Sequence, residues 1–190
     1  MKIEKHPVEA TVGEEFDFSK NPLYAGNNIR TASGVYVNVF KIDECIERIL
    51  IEDIAHALSH QCRFSGHIQT YYSVAEHSIY VAEMVPDEDK LAALMHDASE
   101  AYLVDIPAPI KPGLPGYKQI EAVVMDAIAK KYDFQYPFSA PVKEADIESL
   151  KFEWDNYMLS DNMDARPFKQ VKQEFIDKFY EYKKLARKRY

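Results

Sequence analysis

Leu91-Ala92-Ala93-Leu94-Met95-His96-Asp97-Ala98-Ser99-Glu100 is the stretch on which the reading of this chain turns. It is apolar enough for a helix interior, yet it carries a histidine and an aspartate side by side. Two ionisable side chains in a core-forming segment cost desolvation free energy unless something pairs with them. A divalent metal ion suits imidazole and carboxylate at once, so further ligands are expected elsewhere in the chain.

Outward from this stretch the helical period dominates. Ile51, Ile54, Ala55 and Leu58 fall at i, i+3, i+4 and i+7 and predict a helix that stops near residues 62–66. A second helix opens at Ser73, with Glu76 three residues on as in a capping box, and runs to about Met84 before Pro86. A third starts near Asp87, carries His96, Asp97 and Glu100, and ends before Ile106-Pro107, because the residue preceding a proline avoids the helical region. After a proline-rich loop (Pro107 to Pro115), further helices are predicted over Tyr117 to Tyr132, Pro141 to Leu159 and Pro167 to Arg187. The basic end of the last helix complements the helix dipole. Residues 1 to 30 are polar and turn-rich and read as loops. Val35, Val37 and Val39 alternate with Tyr36, Asn38 and Phe40, a strand pattern that fits a hairpin through Ser33-Gly34. The expected fold class is all-α: one domain over residues 1–190, with 1–45 as an extension bearing short strands and 46–190 as the helical body.

Composition narrows the function classes. With 47% hydrophobic and 28% charged residues, the 190-residue chain is an ordinary globular sequence long enough to bury a sizeable core. A net charge of −8 argues against a nucleic-acid partner, since phosphate backbones select basic surfaces. A phosphorylated small molecule stays compatible, because local positive charge and bound metal override the global sign. No apolar run approaches the ~20 residues that span a bilayer, so no membrane partner is expected. The start Met1-Lys2-Ile3-Glu4-Lys5-His6 lacks the apolar region of a signal peptide. Cys45 and Cys62 are too few for a disulfide framework and read as free thiols. The expected compartment is the cytoplasm.

The ligand search has geometric support. The second and third helices are joined by a short loop and should pack antiparallel. His77 lies about ten residues before that loop and His96 about ten after, so both reach a similar height along the pair at about 1.5 Å rise per residue. Asp97 adjoins His96, and Asp146 lies on the apolar face of the fifth helix. A lone histidine on an apolar face is more often a satisfied core residue, and periodicity alone leaves that alternative open. His56 and His60, at i and i+4 on one helix, have zinc-binding spacing, but no third ligand is evident and a structural role is expected.

Taken together, Tyr72-Ser73-Val74-Ala75-Glu76-His77-Ser78, Leu94-Met95-His96-Asp97-Ala98-Ser99-Glu100-Ala101-Tyr102, Asp105-Ile106-Pro107-Ala108-Pro109-Ile110-Lys111 and Lys143-Glu144-Ala145-Asp146 resemble the HD-domain metal-dependent phosphohydrolases. The closer likeness is to the 5′-deoxynucleotidase branch, including its phage-type dATP triphosphohydrolase offshoot. It covers about residues 30 to 150. It implies an HD-domain helical bundle holding one divalent transition metal (Co, Mn, Zn, Ni or Fe, with Mg possible for a triphosphate substrate) on His77, His96, Asp97 and Asp146. It also implies a homo-oligomer, a dimer or larger.

By the same resemblance, Glu100 and Asp105 are the catalytic acids. Glu100 orients or relays a proton, and Asp105 protonates the leaving sugar oxygen or positions the water. Arg63, fourteen residues before His77, matches a phosphate-binding arginine whose guanidinium offers two donors at once. Lys111 matches a second basic position. Phe64 stands where some members carry tryptophan and would pack on the sugar or base; the bland alternative is core packing. His67 lies near the expected phosphate site and would contact substrate or hold its loop. Val104 departs from the glycine common before the family's aspartate, which bears on the loop shape there.

The implied activity is a metal-dependent phosphohydrolase of deoxynucleotides, with metal-activated water attacking the phosphorus of a 5′-monophosphate. The alternatives are attack on the α-phosphorus of a deoxynucleoside triphosphate, releasing tripolyphosphate, and a non-catalytic nucleotide sensor. Hydrolysis of cyclic nucleotides or alarmones uses a related site but a different surrounding motif.

Overall fold

The computed structural model describes residues 28–160, 162 and 164–187, and most of the expected N-terminal loop region lies outside them. The order is β1 (Ile29–Arg30), β2 (Tyr36–Val37), α1 (Ile51–His60), α2 (Val74–Glu83), α3 (Lys90–Leu94), α4 (Glu100–Leu103), α5 (Tyr117–Tyr132), α6 (Ala140–Glu153) and α7 (Phe168–Arg187). The fold is mostly helical, with one two-stranded antiparallel hairpin near its start among the described residues.

In the hairpin, Ile29 pairs with Val37 and Arg30 with Tyr36. Gly34 takes φ +89 in the turn, a conformation that L side chains rarely adopt. The hairpin is too small to stand alone. Asp53 on α1 anchors it, accepting 2.7 Å hydrogen bonds from the Ser33 backbone N–H and hydroxyl. The strand expected to continue through Val39 and Phe40 ends at Val37 instead. Asn38 caps a run of 3-10 turns over Val39–Arg48, kinked at Lys41. The helical body therefore begins at residue 39, not 46. Val39, Ile42 and Cys45 recur at a spacing of three, which a 3-10 helix stacks on one face.

The bundle closes around α7, which lies against α1, α2 and α3. Its Val171, Phe175 and Phe179 are fully buried, as are Ile54 and Leu58 on α1 and Leu94 on α3. The capping box at α2 is present in both directions: Ser73 accepts from the Glu76 N–H, and the Glu76 carboxylate accepts from the Ser73 N–H. Among the described residues no helix is long and apolar enough to cross a membrane.

The single helix expected from Asp87 to Asp105 is broken at His96-Asp97. Residues 95–99 bridge α3 and α4 by tight turns whose N–H groups reach back three residues, as in Ala98 to Met95 (3.0 Å) and Glu100 to Asp97 (2.9 Å). Neighbours in an α-helix diverge by about a quarter turn. At this break the His96 Nε2 and the Asp97 Oδ2 nevertheless lie 3.3 Å apart.

Candidate metal centre

His77 sits mid-way along α2 with no exposed surface, and His96 is nearly as buried in the α3–α4 break. Their Nε2 atoms lie 3.2 Å apart. The Asp146 Oδ1, from α6, is 3.2 Å from the His77 Nε2 and 3.6 Å from the His96 Nε2. The Asp97 Oδ2 is 3.3 Å from the His96 Nε2 and 3.6 Å from the His77 Nε2. His77, His96 and Asp146 form the tightest group, with ligand atoms all within 4.8 Å of one another. Asp97 joins it through the two imidazoles.

The hydrogen bonds fix what these rings present. The His77 Nδ1 lies 2.6 Å from the Glu153 Oε1, and the His96 Nδ1 lies 2.7 Å from the Ala93 carbonyl oxygen. A carboxylate and a carbonyl can only accept, so both Nδ1 atoms carry the proton and donate. In the neutral rings both Nε2 lone pairs then point at each other and at two carboxylate oxygens. The three converging acceptors of His77, His96 and Asp146, with the Asp97 carboxylate beside the imidazoles, favour a cation between them. Ligands held at about 2.1 Å in tetrahedral or octahedral sites stand about 3.0–3.4 Å apart, and the observed spacings match within a few tenths of an ångström. Without metal a proton fills the gap. Burial works against charge on His96, but the Asp97 charge and the Asp146 hydrogen bond outweigh it and raise its pKa to about 9. Burial likewise opposes ionisation of Asp146, yet hydrogen bonds from His77 and His96 hold it well below the usual carboxylate range.

The other expected residues divide. Arg63 is buried beside the cluster, with Nη1 3.8 Å from the Asp97 Oδ2. Its Nε and Nη2 donate to the Glu153 Oε2 at 3.2 and 2.9 Å. It opens a left-handed turn in which Phe64 and Ser65 hold φ 54 and 53, a conformation costing about 1–2 kcal/mol per residue. This turn sets the Phe64 ring edge-on to Trp154, with centroids 6.1 Å apart. Glu100 is buried, and burial together with the charges of Asp97 and Asp105 pushes its carboxyl pKa up. Asp105 is raised in the same way by burial, against the opposing charge of Arg63. Lys111 reaches the rim, with Nζ 2.9 Å from the Glu121 Oε1 and 3.6 Å from the Glu100 Oε1. His67 is exposed, and no polar contact joins its ring to the cluster among the described residues. His56 and His60 stack at 4.1 Å, with the His60 Nδ1 donating to the His56 carbonyl oxygen. They belong to no metal-ligating group among the described residues.

Two residues escaped the sequence reading. Glu153 is completely buried against His77, Arg63 and Ser149. Its signal was present: Asp146, Ser149 and Glu153 lie at i, i+3 and i+7, one face of α6. Gln61 had no such signal. Its Nε2 donates to the Glu100 carbonyl oxygen and its Oε1 accepts from the Asp105 N–H, both at 3.0 Å. One amide thus ties down the segment carrying both acids. Within that segment Val104 holds φ 69 and ψ 147, strained for a β-branched residue.

Over 133 residues the chain is 44% identical to YfdR of Escherichia coli, an uncharacterized protein; the match covers 70% of this chain and 74% of YfdR. The chain belongs to the YfdR family. This family member is also 36% identical over 107 residues to the uncharacterized protein RCAP_rcc00048 of Rhodobacter capsulatus, covering 51% of this chain and 55% of that one. No family model matches the chain.

Proposed function

We propose that this YfdR family member is an HD-domain-type phosphohydrolase that cleaves deoxynucleoside 5′-monophosphates. A divalent metal would be held by His77, His96, Asp97 and Asp146. The observation that carries the reading is the convergence of ligand atoms from His77, His96 and Asp146 beside a buried arginine, with Asp97 against both imidazoles. A bound ion there supplies Lewis acidity and an acidified water near neutral pH.

The protein's own side chains supply the rest. Arg63 directs Nη1 towards the cluster, where it can grip phosphoryl oxygens. Asp105, whose burial favours the protonated form, can hand a proton to the leaving 5′-oxygen. Glu100 can relay or orient. Phe64 and Trp154 form an aromatic wall beside Arg63 on which a deoxyribose or base can pack. Charge supports the monophosphate: among the described residues the cations felt by Glu100 and Asp105 include Arg63 and Lys111, and each already shares its charge with a glutamate. A triphosphate would bring far more negative charge to the same place. The reading places the protein with its substrate in the cytoplasm, in keeping with its free thiols, Cys45 and Cys62.

The test is a panel of mono- and triphosphates, ribo and deoxy, assayed with Mn, Co, Ni, Zn, Fe and Mg. Free phosphate from deoxynucleoside monophosphates is expected. Tripolyphosphate from a deoxynucleoside triphosphate would replace this reading with the triphosphohydrolase. Saturable nucleotide binding without turnover under every metal would make the protein a sensor.

A further inference from the structure

Glu153 is a fully buried carboxylate at the end of α6, and each of its oxygens has a separate task. Oε1 accepts from the His77 Nδ1 at 2.6 Å and from the Ser149 hydroxyl at 3.0 Å. Oε2 accepts from Arg63 Nη2 at 2.9 Å and Nε at 3.2 Å. All four contacts are donors, so only an ionised carboxylate satisfies them together. Burying such a charge is weak support for the fold, because a well-packed apolar replacement is often as stable. The arrangement calls for another reason.

We propose that Glu153 is a positioning residue that sets the metal-ligating imidazole of His77 and the phosphate-gripping guanidinium of Arg63 in register with each other. The inference rests on the metal-centre reading above. Through Oε1 it keeps the proton on the His77 Nδ1, so that the Nε2 lone pair faces the cluster. Hydrogen bonds of this kind to a ligand histidine hold its tautomer and ring orientation. Through Oε2 it uses one edge of the guanidinium and leaves Nη1 facing Asp97 at 3.8 Å. One side chain thereby sets the spacing between the metal ligands and the phosphate donor.

Glutamine has the same shape but one acceptor oxygen. If its carbonyl serves His77, its NH2 meets the Arg63 donors; if it serves Arg63, its NH2 faces the His77 Nδ1 and selects the wrong tautomer. Glu153→Gln should therefore weaken cobalt(II) affinity about 10- to 100-fold, read by calorimetry and the cobalt absorption spectrum. At saturating cobalt, KM for a deoxynucleoside monophosphate should rise while kcat changes less. Wild-type cobalt binding with an E153Q variant of equal affinity and KM would overturn the proposal and leave the metal centre standing. No cobalt binding by the wild type would overturn the metal centre itself, and the role of Glu153 with it. If E153Q does not fold, 15N spectra of the histidines in the wild type decide. In metal-free protein, neutral His77 should carry its proton on Nδ1, the tautomer less favoured in water. A proton on Nε2 would refute the assignment.

Discussion

The His77 and His96 Nε2 atoms stand 3.2 Å apart while the opposite nitrogen of each ring donates to an acceptor, Glu153 in one case and the Ala93 carbonyl in the other. This pairing makes metal and proton competitors for one position. With the pKa of His96 raised to about 9, metal uptake below that pH must expel a proton. Apparent affinity should climb about tenfold per pH unit on the acid side and level off above about 9. Calorimetry in buffers of different ionisation enthalpy counts the protons released. The metal-free protein should show the opposite trend. The pKa of His96 in the fold lies above its free value of about 6.5, so its stabilisation is complete below about 6.5 and is lost as pH rises through about 9. Glu100, also raised, adds in the same direction, and thermal melts across this range read the sum.

Ligands and acids should separate on mutation. Asp146→Ala and Asp97→Ala each remove an oxygen from the cluster and should lose metal and activity together. Glu100→Ala should retain metal and slow turnover by about 10²–10⁴-fold, the usual contribution of a positioned acid or base. Metal content by atomic spectroscopy, set beside rate, checks both. Full activity in metal-replete Glu100→Ala would remove that residue from the mechanism.

Val104 should be replaceable to advantage. Its φ of 69 with ψ of 147 stores about 1–3 kcal/mol, whereas glycine adds about 0.5–1 kcal/mol of unfolded-state entropy. Val104→Gly should thus stabilise the protein by about 1 kcal/mol. A rise in Tm is the expected reading, and a fall would show that the side chain makes up for its strain.

Gln61→Ala should do more harm than its half-buried position suggests. It strips the partner from the Asp105 N–H, which costs about 1–3 kcal/mol if left unsatisfied, and one of two donors from the Glu100 carbonyl, which keeps the Val104 N–H at 2.9 Å. Turnover should fall with metal affinity unchanged, because no metal ligand is touched.

The sequence carried much of this arrangement. Apolar periodicity located α1, α2, α5 and α7 to within a few residues, and Ser73 and Glu76 marked the start of α2 correctly. His77, His96 and Asp146 come together from α2, the α3–α4 break and α6, although the equal sequence offsets spoke only for the two histidines. The break at His96-Asp97 was invisible: Leu91 to Glu100 is apolar and free of glycine and proline, so nothing local predicts a helix interrupted there. The 3-10 run at Val39–Arg48 was hidden by valines that alternate like a strand. Glu153 was overlooked because a glutamate late in a helix usually faces water, and only the approach of α2 to α6 shows that this one does not.

The crowding of carboxylates also imposes an order on assembly. Asp97, Glu100, Asp105 and Glu153 lie within the charge field of the buried Arg63 guanidinium, Asp146 faces the two imidazoles, and Lys111 sits beside Glu100. An anionic substrate approaching the metal-free pocket would meet repulsion, whereas a divalent cation would be drawn in. On the proposed function, loading would be sequential, cation before phosphate ester, and phosphate affinity would be conditional on the ion rather than a separate property of the pocket.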